Sequence, residues 1–527
     1  MICTRFKNEP ICDYSVEANV KGAERAIRAL ETKLDRYYPA LIGGRSVETG
    51  KTIVSLCPAL PDRVVGRVAS CTRAHVDEAI AEAQKAFASW ARTDPEIRAE
   101  TLMKLAALIR RDRFDFLALL SYEIGKDWYE ADAEIAEAID FCEYYARLAV
   151  KHFQYQPLTR IPTEDNCFFY IPLGVGAVIA PWNFPLAILA GMTLAAVVSG
   201  NAVILKPSSD TPVIAARLMA LAREAGVPDG VINLLPGPGG EVGDYLVTHP
   251  DVRFVSFTGS ADVGLRINEI ASGPDPRRRW MTRYILEMGG KDAIVVDESA
   301  DLDAAASGVV RSAFGFQGQK CSACSRLIVH SAVKDRLVEL ILEKTKPLPA
   351  GLPWDGPCVF TGPVASAKAQ AGILKAIERG KSEARLLLGG HALDRPGYYL
   401  APTIFDGVSS RSFLGQEEVF GPVLAILEAA SFDQALELAN DTRYGLTGAV
   451  YSASIEHLDR AKHEFHCGNL YLNRGCTGAL VGVHPFGGFN LSGTDSKAGG
   501  PDYLMNFTQG KTTSERITAP RMPGIGV

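Results

Sequence analysis

Apolar residues in the first 150 positions recur every three or four residues, whereas from position 174 onward they gather into short continuous runs separated by amphipathic stretches. The first pattern predicts a helix over residues 16–34 within an N-terminal helical extension, then helices over 75–90, 95–111, 113–125 and 130–152. Between them, Ile42-Gly-Gly-Arg and Thr52-Ile-Val-Ser-Leu read as short strands of a small antiparallel piece. The second pattern alternates strand and helix over 176–180, 185–199, 202–205, 211–225, 231–235, 240–248 and 252–257, and a second such series runs from Ile285 to about residue 473. Strand, helix, strand in series calls for parallel strands joined by crossover helices, so two open α/β units are expected. No internal repeat or low-complexity segment interrupts them.

Residues 166–205 carry no charge at all, which raises the question of a membrane span. Pro172, Pro181 and Pro185, with Gly174, Gly176, Gly191 and Gly200, cut the run into pieces shorter than the ~20 apolar residues a spanning helix needs. It reads as buried strand, helix, strand, and no membrane is expected. The 527 residues, 47% hydrophobic and 22% charged, describe an ordinary globular composition. Lys and Arg (55) are interspersed with Asp and Glu (61), for a net charge of −6, and no basic stripe suits a nucleic acid. Eleven cysteines form no dense framework, and their odd number leaves a thiol unpaired, as in a reducing compartment. Arg5, Lys7 and Glu9 break up any apolar leader, so the cytoplasm is the expected location.

Candidate chemistry centres on Phe314-Gly-Phe-Gln-Gly-Gln-Lys-Cys-Ser-Ala-Cys-Ser-Arg, where a helix over 301–314 ends in Gly315 and Gly318 and delivers Cys321 on a tight loop. A free thiol, with a pKa of roughly 8.5, is mostly protonated at neutral pH, so a nucleophilic Cys321 needs Lys320, local amides or a nearby base. Cys321 could instead fill a small space, or form with Cys324 a C-x-x-C pair for zinc or redox chemistry. No second C-x-x-C or nearby His cluster completes a tetrahedral set, and no metal is expected. Two glycine-rich signals compete for cofactor phosphates: Pro236-Gly-Pro-Gly-Gly-Glu-Val-Gly, whose spacing is not the dinucleotide fingerprint, and Phe257-Thr-Gly-Ser-Ala-Asp-Val-Gly, where a strand runs into a helix start. Lys206 is the first charge after forty uncharged residues and ends a strand, where open α/β sheets bind ligands. Glu287 ends the apolar strand Tyr284-Ile-Leu-Glu with two glycines close behind.

Taken together, Pro181-Trp-Asn-Phe-Pro, Leu205-Lys-Pro-Ser, Phe257-Thr-Gly-Ser, Leu286-Glu-Met-Gly-Gly-Lys, Gly318-Gln-Lys-Cys, Glu417-Glu-Val-Phe-Gly-Pro and Pro485-Phe-Gly-Gly resemble the aldehyde dehydrogenase superfamily over nearly the whole chain. The resemblance implies an α/β fold with two open parallel α/β domains and a small oligomerisation flap. Residues 1–153 and 174–284 would form the N-terminal extension and NAD-binding domain, 285–490 the catalytic domain, and 154–173 with 491–527 the flap and tail. It implies Cys321 as nucleophile, the Asn183 side chain and Cys321 N–H as oxyanion donors, and Glu287 as the base that hydrolyses the thioester. For the cofactor it implies Lys206 on the adenosine ribose and Glu418 on the nicotinamide ribose. Phe420 would lie against the ring, and Trp182, Gly259 and Ser260 along the phosphate path, in preference to the 237–243 signal. Many family members carry a glutamate three residues after the lysine, which repels a 2′-phosphate. That position is Ser209 here, so NAD is expected while NADP stays open.

The Phe314 to Arg326 string, Gly475-Cys-Thr-Gly-Ala-Leu-Val-Gly and Phe489-Asn-Leu-Ser-Gly-Thr-Asp-Ser-Lys-Ala-Gly-Gly-Pro-Asp-Tyr resemble the L-glutamate γ-semialdehyde dehydrogenases, which complete proline catabolism. A substrate bearing a carboxylate and an ammonium implies donors from Gly478, Ala479 and Ser322, packing by Phe184 and Phe486, and Glu137 at the ammonium end. A homodimer or higher assembly is implied. The rival readings are an enzyme for another semialdehyde, such as succinate semialdehyde, and a catalytically silent structural member.

Overall fold

The computed structural model describes residues 5–517. Its centre is a seven-stranded sheet ordered Arg283–Glu287, Phe254–Thr258, Val175–Ile179, Ala202–Lys206, Ile232–Leu234, Ala40–Ile42, Arg45–Val47. The first five strands are parallel and the last two are added antiparallel. A second seven-stranded sheet, ordered Arg385–Leu388, Thr403–Asp406, Val423–Ala429, Arg326–His330, Ala293–Val296, Thr447–Tyr451, Asn469–Leu472, is parallel except at its first edge strand. The strand–helix alternation therefore becomes two doubly wound units, as expected from the apolar runs.

The uncharged run is accounted for by three strands and the helix Ala187–Val198, which is apolar all round because it is buried on every side. No helix among the described residues is long and apolar enough to cross a membrane. Local sequence sets the helix ends. Asp127 caps Trp128–His152 by accepting from Glu130 N at 3.0 Å, Pro95 opens Pro95–Arg111, and Gly125 takes a left-handed conformation (φ 74°) to end Arg113–Ile124.

Several boundaries differ from expectation. The N-terminal extension is helical only over Glu17–Glu31. Residues 6–12 run extended along Trp128–His152 because Asp140 and Asp132 take their amide hydrogens, Glu9 N at 2.7 Å and Cys12 N at 2.6 Å. Ile42-Gly-Gly-Arg is a turn rather than a strand, with Gly43 and Gly44 both at positive φ; its hairpin joins the first large sheet, whereas Thr52–Cys57 pairs with Leu60–Ala69 elsewhere. Arg283–Glu287 belongs to the first sheet, so the chain leaves that sheet after Glu287 rather than at residue 284.

The expected flap narrows to one antiparallel ribbon, Glu164–Pro172 with Thr508–Arg516. Residues 491–507 do not join it: Ser492 and Thr494 bond to the backbone beside Glu287, and Tyr503, Leu504 and Phe507 are buried in the core. Residues 518–527 of the expected tail lie outside the described residues.

The central strand Val175–Ile179 packs closely. A Cβ at Gly176 would fall 2.0 Å from the ring of Phe254, itself fully buried and edge-on to Phe507 at 5.4 Å. Overpacking of this kind costs about 1–3 kcal/mol. Gly176→Ala should therefore lower the thermal unfolding midpoint by several degrees, whereas Gly239→Ala, at a site with no heavy atom within 4 Å, should leave it nearly unchanged.

Candidate active site

The helix Leu302–Phe314, capped by Asp301, runs into a turn in which Phe316, Gln317 and Gly318 are left-handed in succession (φ 48°, 54° and 65°). Two non-glycine residues in that region are strained, and neighbouring hydrogen bonds fix them. Gln317 Nε2 donates to Phe360 O at 3.1 Å, and Ala365 N donates to Gln319 Oε1 at 2.8 Å. At Gly318 there is no room for a side chain, since a Cβ would lie 2.3 Å from Gly421 O. The turn sets Cys321 half-buried in the cleft, and behind it Ser325 N and Arg326 N both donate to Asp292 O at 3.2 and 3.0 Å.

Gly289 and Gly290 join the strand that ends in Glu287 to the second sheet, beside the Cys321 loop. A Cβ at Gly290 would lie 2.7 Å from Cys321 O, and one at Gly289 would lie 2.1 Å from Glu418 Oε2. The two glycines thus let Glu287, Cys321 and Glu418 converge from different elements.

Burial, with the carboxylates of Asp292, Glu418 and Glu287 nearby, raises the Cys321 pKa well above its ordinary value, so the resting sulfur is a thiol. Lys320, one of the groups expected to help it ionise, instead pairs with Glu130 at 2.7 Å. Glu287 is buried, and burial pushes its pKa up to about 8 despite a hydrogen bond from the Ser496 hydroxyl and the charge of Lys497. Its Oε2 has no partner among the described residues. Asn183 is buried, and its Nδ2 donates to Gln319 O at 3.0 Å, two residues before Cys321.

The placement of Asn183 rests on residues that sequence reasoning missed. Glu134 accepts from Leu186 N and Ala187 N at 2.7 and 3.1 Å, fixing the chain just after Asn183-Phe184. Its other oxygen pairs with Lys126 at 2.6 Å, both side chains being fully buried. Lys126 Nζ lies 3.6 Å from the Phe184 ring centre and 4.6 Å from that of Phe316. Glu130, Glu134 and Glu137 follow at i, i+4 and i+7 on Trp128–His152, and that spacing inside an otherwise apolar face was the available signal.

Among the expected cofactor residues, Lys206 ends its strand buried, its pKa pushed down to about 8 by burial, with Nζ 3.3 Å from Pro207 O. Ser260 caps Ala261–Ser272 by accepting from Val263 N at 3.4 Å, and Gly259 N donates to Glu287 O at 3.1 Å. The rejected 237–243 signal also borders this cleft: a Cβ at Gly243 would lie 3.6 Å from Lys206 Cε. Ser209 is exposed, and the neighbouring Asp210 carboxylate acts on Lys206. Glu418 Oε1 accepts from Gly290 N at 3.1 Å, and burial pushes the Glu418 pKa up to about 7. Phe420, left-handed at φ 54°, meets Trp182 edge-on at 5.3 Å. Gly318, Lys320, Glu418 and Phe420 line one pocket that joins the nucleophile loop to this face. A buried cation at a strand end, an open helix N-terminus and a carboxylate beside an aromatic pair fit a nicotinamide dinucleotide.

The expected substrate residues lie on three loops and one helix. Ser322 is buried, and its carbonyl accepts from Cys476 Sγ at 3.3 Å and Thr447 Oγ1 at 3.4 Å. This explains Cys476, whose thiol ties the 476–479 loop to the nucleophile loop. Gly478 is left-handed (φ 78°) and exposed, Ala479 is half-buried, and Arg474 Nη2 donates to Thr477 O at 2.6 Å and to Gly478 O at 3.2 Å. Half-buried Phe486 is held by a bridge to Ala498, at 2.8 and 2.7 Å. Glu137 is half-buried, its pKa pushed up to about 8 by burial and by Glu134. Cys324 is reduced and buried, donating to Arg326 O at 3.4 Å, and no group of three or more His, Cys, Asp or Glu among the described residues could hold a metal ion.

This arrangement has close relatives. A 1-pyrroline-5-carboxylate dehydrogenase of Geobacillus sp. (strain WCH70) is 53% identical over 510 residues, spanning 97% of this chain and 99% of the relative. The crystal structure of 1-pyrroline-5-carboxylate dehydrogenase from Thermus with bound NAD superimposes with a TM-score of 0.96 at 49% identity, over 98% of this chain and all of that one. Proline utilization A from Bdellovibrio bacteriovorus matches with a TM-score of 0.95 at 43% identity, over 97% of this chain but only 53% of that longer one. The sequence model of the aldehyde dehydrogenase family matches residues 46–513, and the chain belongs to that family.

Proposed function

We propose that this chain oxidises L-glutamate γ-semialdehyde to L-glutamate with NAD, as the second step of proline catabolism. The observation that carries this reading is the convergence of Cys321, Asn183 and Glu287 on one cleft beside a charged wall with an uncompensated acid. On that wall Lys126 and Lys320 neutralise Glu134 and Glu130, and Glu137 is left without a cation of its own. An aldehyde bearing an ammonium supplies that cation. The loop at Gly478 and Ala479 with the Ser322 hydroxyl suits the carboxylate, and Phe184 and Phe486 suit the aliphatic stem. A succinate semialdehyde carries no ammonium to satisfy Glu137.

In the reaction the Cys321 thiol gives up its proton to solvent, and Sγ bonds to the aldehyde carbon as the C=O electron pair moves onto oxygen. The Asn183 amide and the Cys321 N–H hold the oxyanion of the resulting thiohemiacetal. NAD, when bound, accepts the hydride that leaves this carbon. Lys206, Trp182, Gly259 and Ser260 would hold its adenosine and phosphate portion, and Glu418 and Phe420 its nicotinamide portion. Glu287, once ionised, takes a proton from water so that hydroxide attacks the Cys321 thioester, and the sulfur leaves as glutamate forms.

Among the described residues the ribbon of Glu164–Pro172 and Thr508–Arg516 has no third strand, only a single bridge from Gln156 to Phe168, and Tyr155, Leu158, Ile161 and Ile517 are exposed beside it. These features support a homo-oligomer built on the ribbon. A cytoplasmic location suits a reduced Cys321 and its free neighbours.

Turnover of L-glutamate γ-semialdehyde should exceed that of succinate semialdehyde by roughly a hundredfold in kcat/KM, the order expected when a buried polar group is left without its partner; equal values would overturn the substrate assignment. Cys321→Ala should abolish turnover while NAD still binds, and Glu287→Gln should give one burst of NADH followed by little steady turnover, both read in a stopped-flow experiment. Light scattering at micromolar concentration should report a dimer or larger, and a monomer would contradict the role given to the ribbon.

A further inference from the structure

Residues 492–498 cross the site without having been assigned a part in it. Ser492 O accepts from Met288 N at 2.8 Å, and Thr494 pairs with Leu286 from both sides, its Oγ1 accepting from Leu286 N at 3.0 Å and its N donating to Leu286 O at 3.0 Å. These bonds bracket Glu287, which itself bridges to Gly493. Asp495 then turns the chain at φ 60° and brings the buried Ser496 beneath the carboxylate, where its hydroxyl donates to Glu287 Oε1. Lys497 is anchored by the carbonyls of Gly468 (2.8 Å) and Gly487, and Ala498 closes the segment against Phe486.

We propose that Ser496 is a positioning residue for the thioester-hydrolysis step: with Lys497 behind it, it holds Glu287 by one oxygen and favours its ionised form, leaving the other oxygen, buried and without a partner among the described residues, free to take a proton. This rests on the reading of Glu287 as the base. A buried carboxylate is hard to ionise, and a base must be ionised to accept a proton. Ser496, Lys497 and the Gly488 backbone N–H favour the charge of Glu287 and Asp495 opposes it, while the Cys321 thiol and the Tyr503 hydroxyl stand on the other sides. Removing the Ser496 donor removes support from the charged form only, so the pKa of Glu287 rises.

The acid limb of the kcat–pH profile, which needs ionised Glu287, should therefore move to higher pH by about one unit in Ser496→Ala, the size expected for one hydrogen bond to a charged group. Ser496→Cys, nearly isosteric with a weaker donor, should move it the same way by less. In both variants the NADH burst should persist, because hydride transfer precedes hydrolysis, whereas a residue that only supports the fold would lower burst and steady rate together without moving the limb. An unmoved limb in Ser496→Ala and Ser496→Cys, with Glu287→Gln still arrested after its burst, overturns the role of Ser496 and leaves that of Glu287 standing. Loss of neither burst nor steady turnover in Glu287→Gln overturns the reading beneath it.

Discussion

The site depends on the backbone pairing of one edge strand. Arg283–Glu287 bonds to Phe254–Thr258 on one side, and on the other it receives Ser492 and Thr494 from the far end of the chain. Glu287 is thereby locked in register with Gly259, just before the helix Ala261–Ser272. Five residues later the Asp292 carbonyl takes the N–H groups of Ser325 and Arg326, which places the nucleophile loop. Glu287, the helix Ala261–Ser272 and the Cys321 sulfur are thus spaced by hydrogen-bonded backbone, and Gly289 and Gly290 supply the missing volume that lets them close up.

Around this frame the protein buries charged side chains, among them Lys126, Glu134, Lys291, Asp292 and Arg326. The Lys126–Glu134 pair lies without any exposure, and pairs of that kind rarely add stability over an apolar core. What this one gives is direction: Glu134 holds two amides after Phe184, and Lys126 sits against the faces of Phe184 and Phe316. Such charges orient side chains where dispersion alone permits several packings. The same low-dielectric setting raises the pKa of the Cys321 thiol.

Much of this was legible in the sequence because the constraints were local. Glycines at 289, 290 and 318 mark places where a side chain cannot fit, and the apolar runs after residue 174 mark parallel strands. The unread parts are those where distant segments meet. Lys126 stands between two helices in a stretch that looks exposed, and only the fold carries it between two aromatic rings. Residues 491–507 resemble a tail by position, yet their hydrogen bonds go to Leu286 and Met288, more than 200 positions away. Cys476 gave no signal because its partner is a backbone carbonyl. Residues 6–12 resist helical reading for a similar reason, since their amides are claimed by carboxylates on another helix.

The contact of Gly318 with the Gly421 carbonyl has a wider bearing. Gly421 follows Phe420, a ring strained into a left-handed conformation and turned toward Trp182, while Gly318 ends the strained turn that carries Cys321. Two taut loops therefore touch main chain to main chain, with no flexible side chain between them to absorb a shift. Between the Phe420 side and the turn that supports Cys321 there is thus only main chain, and the spacing of the two loops is set by the absence of a side chain at position 318.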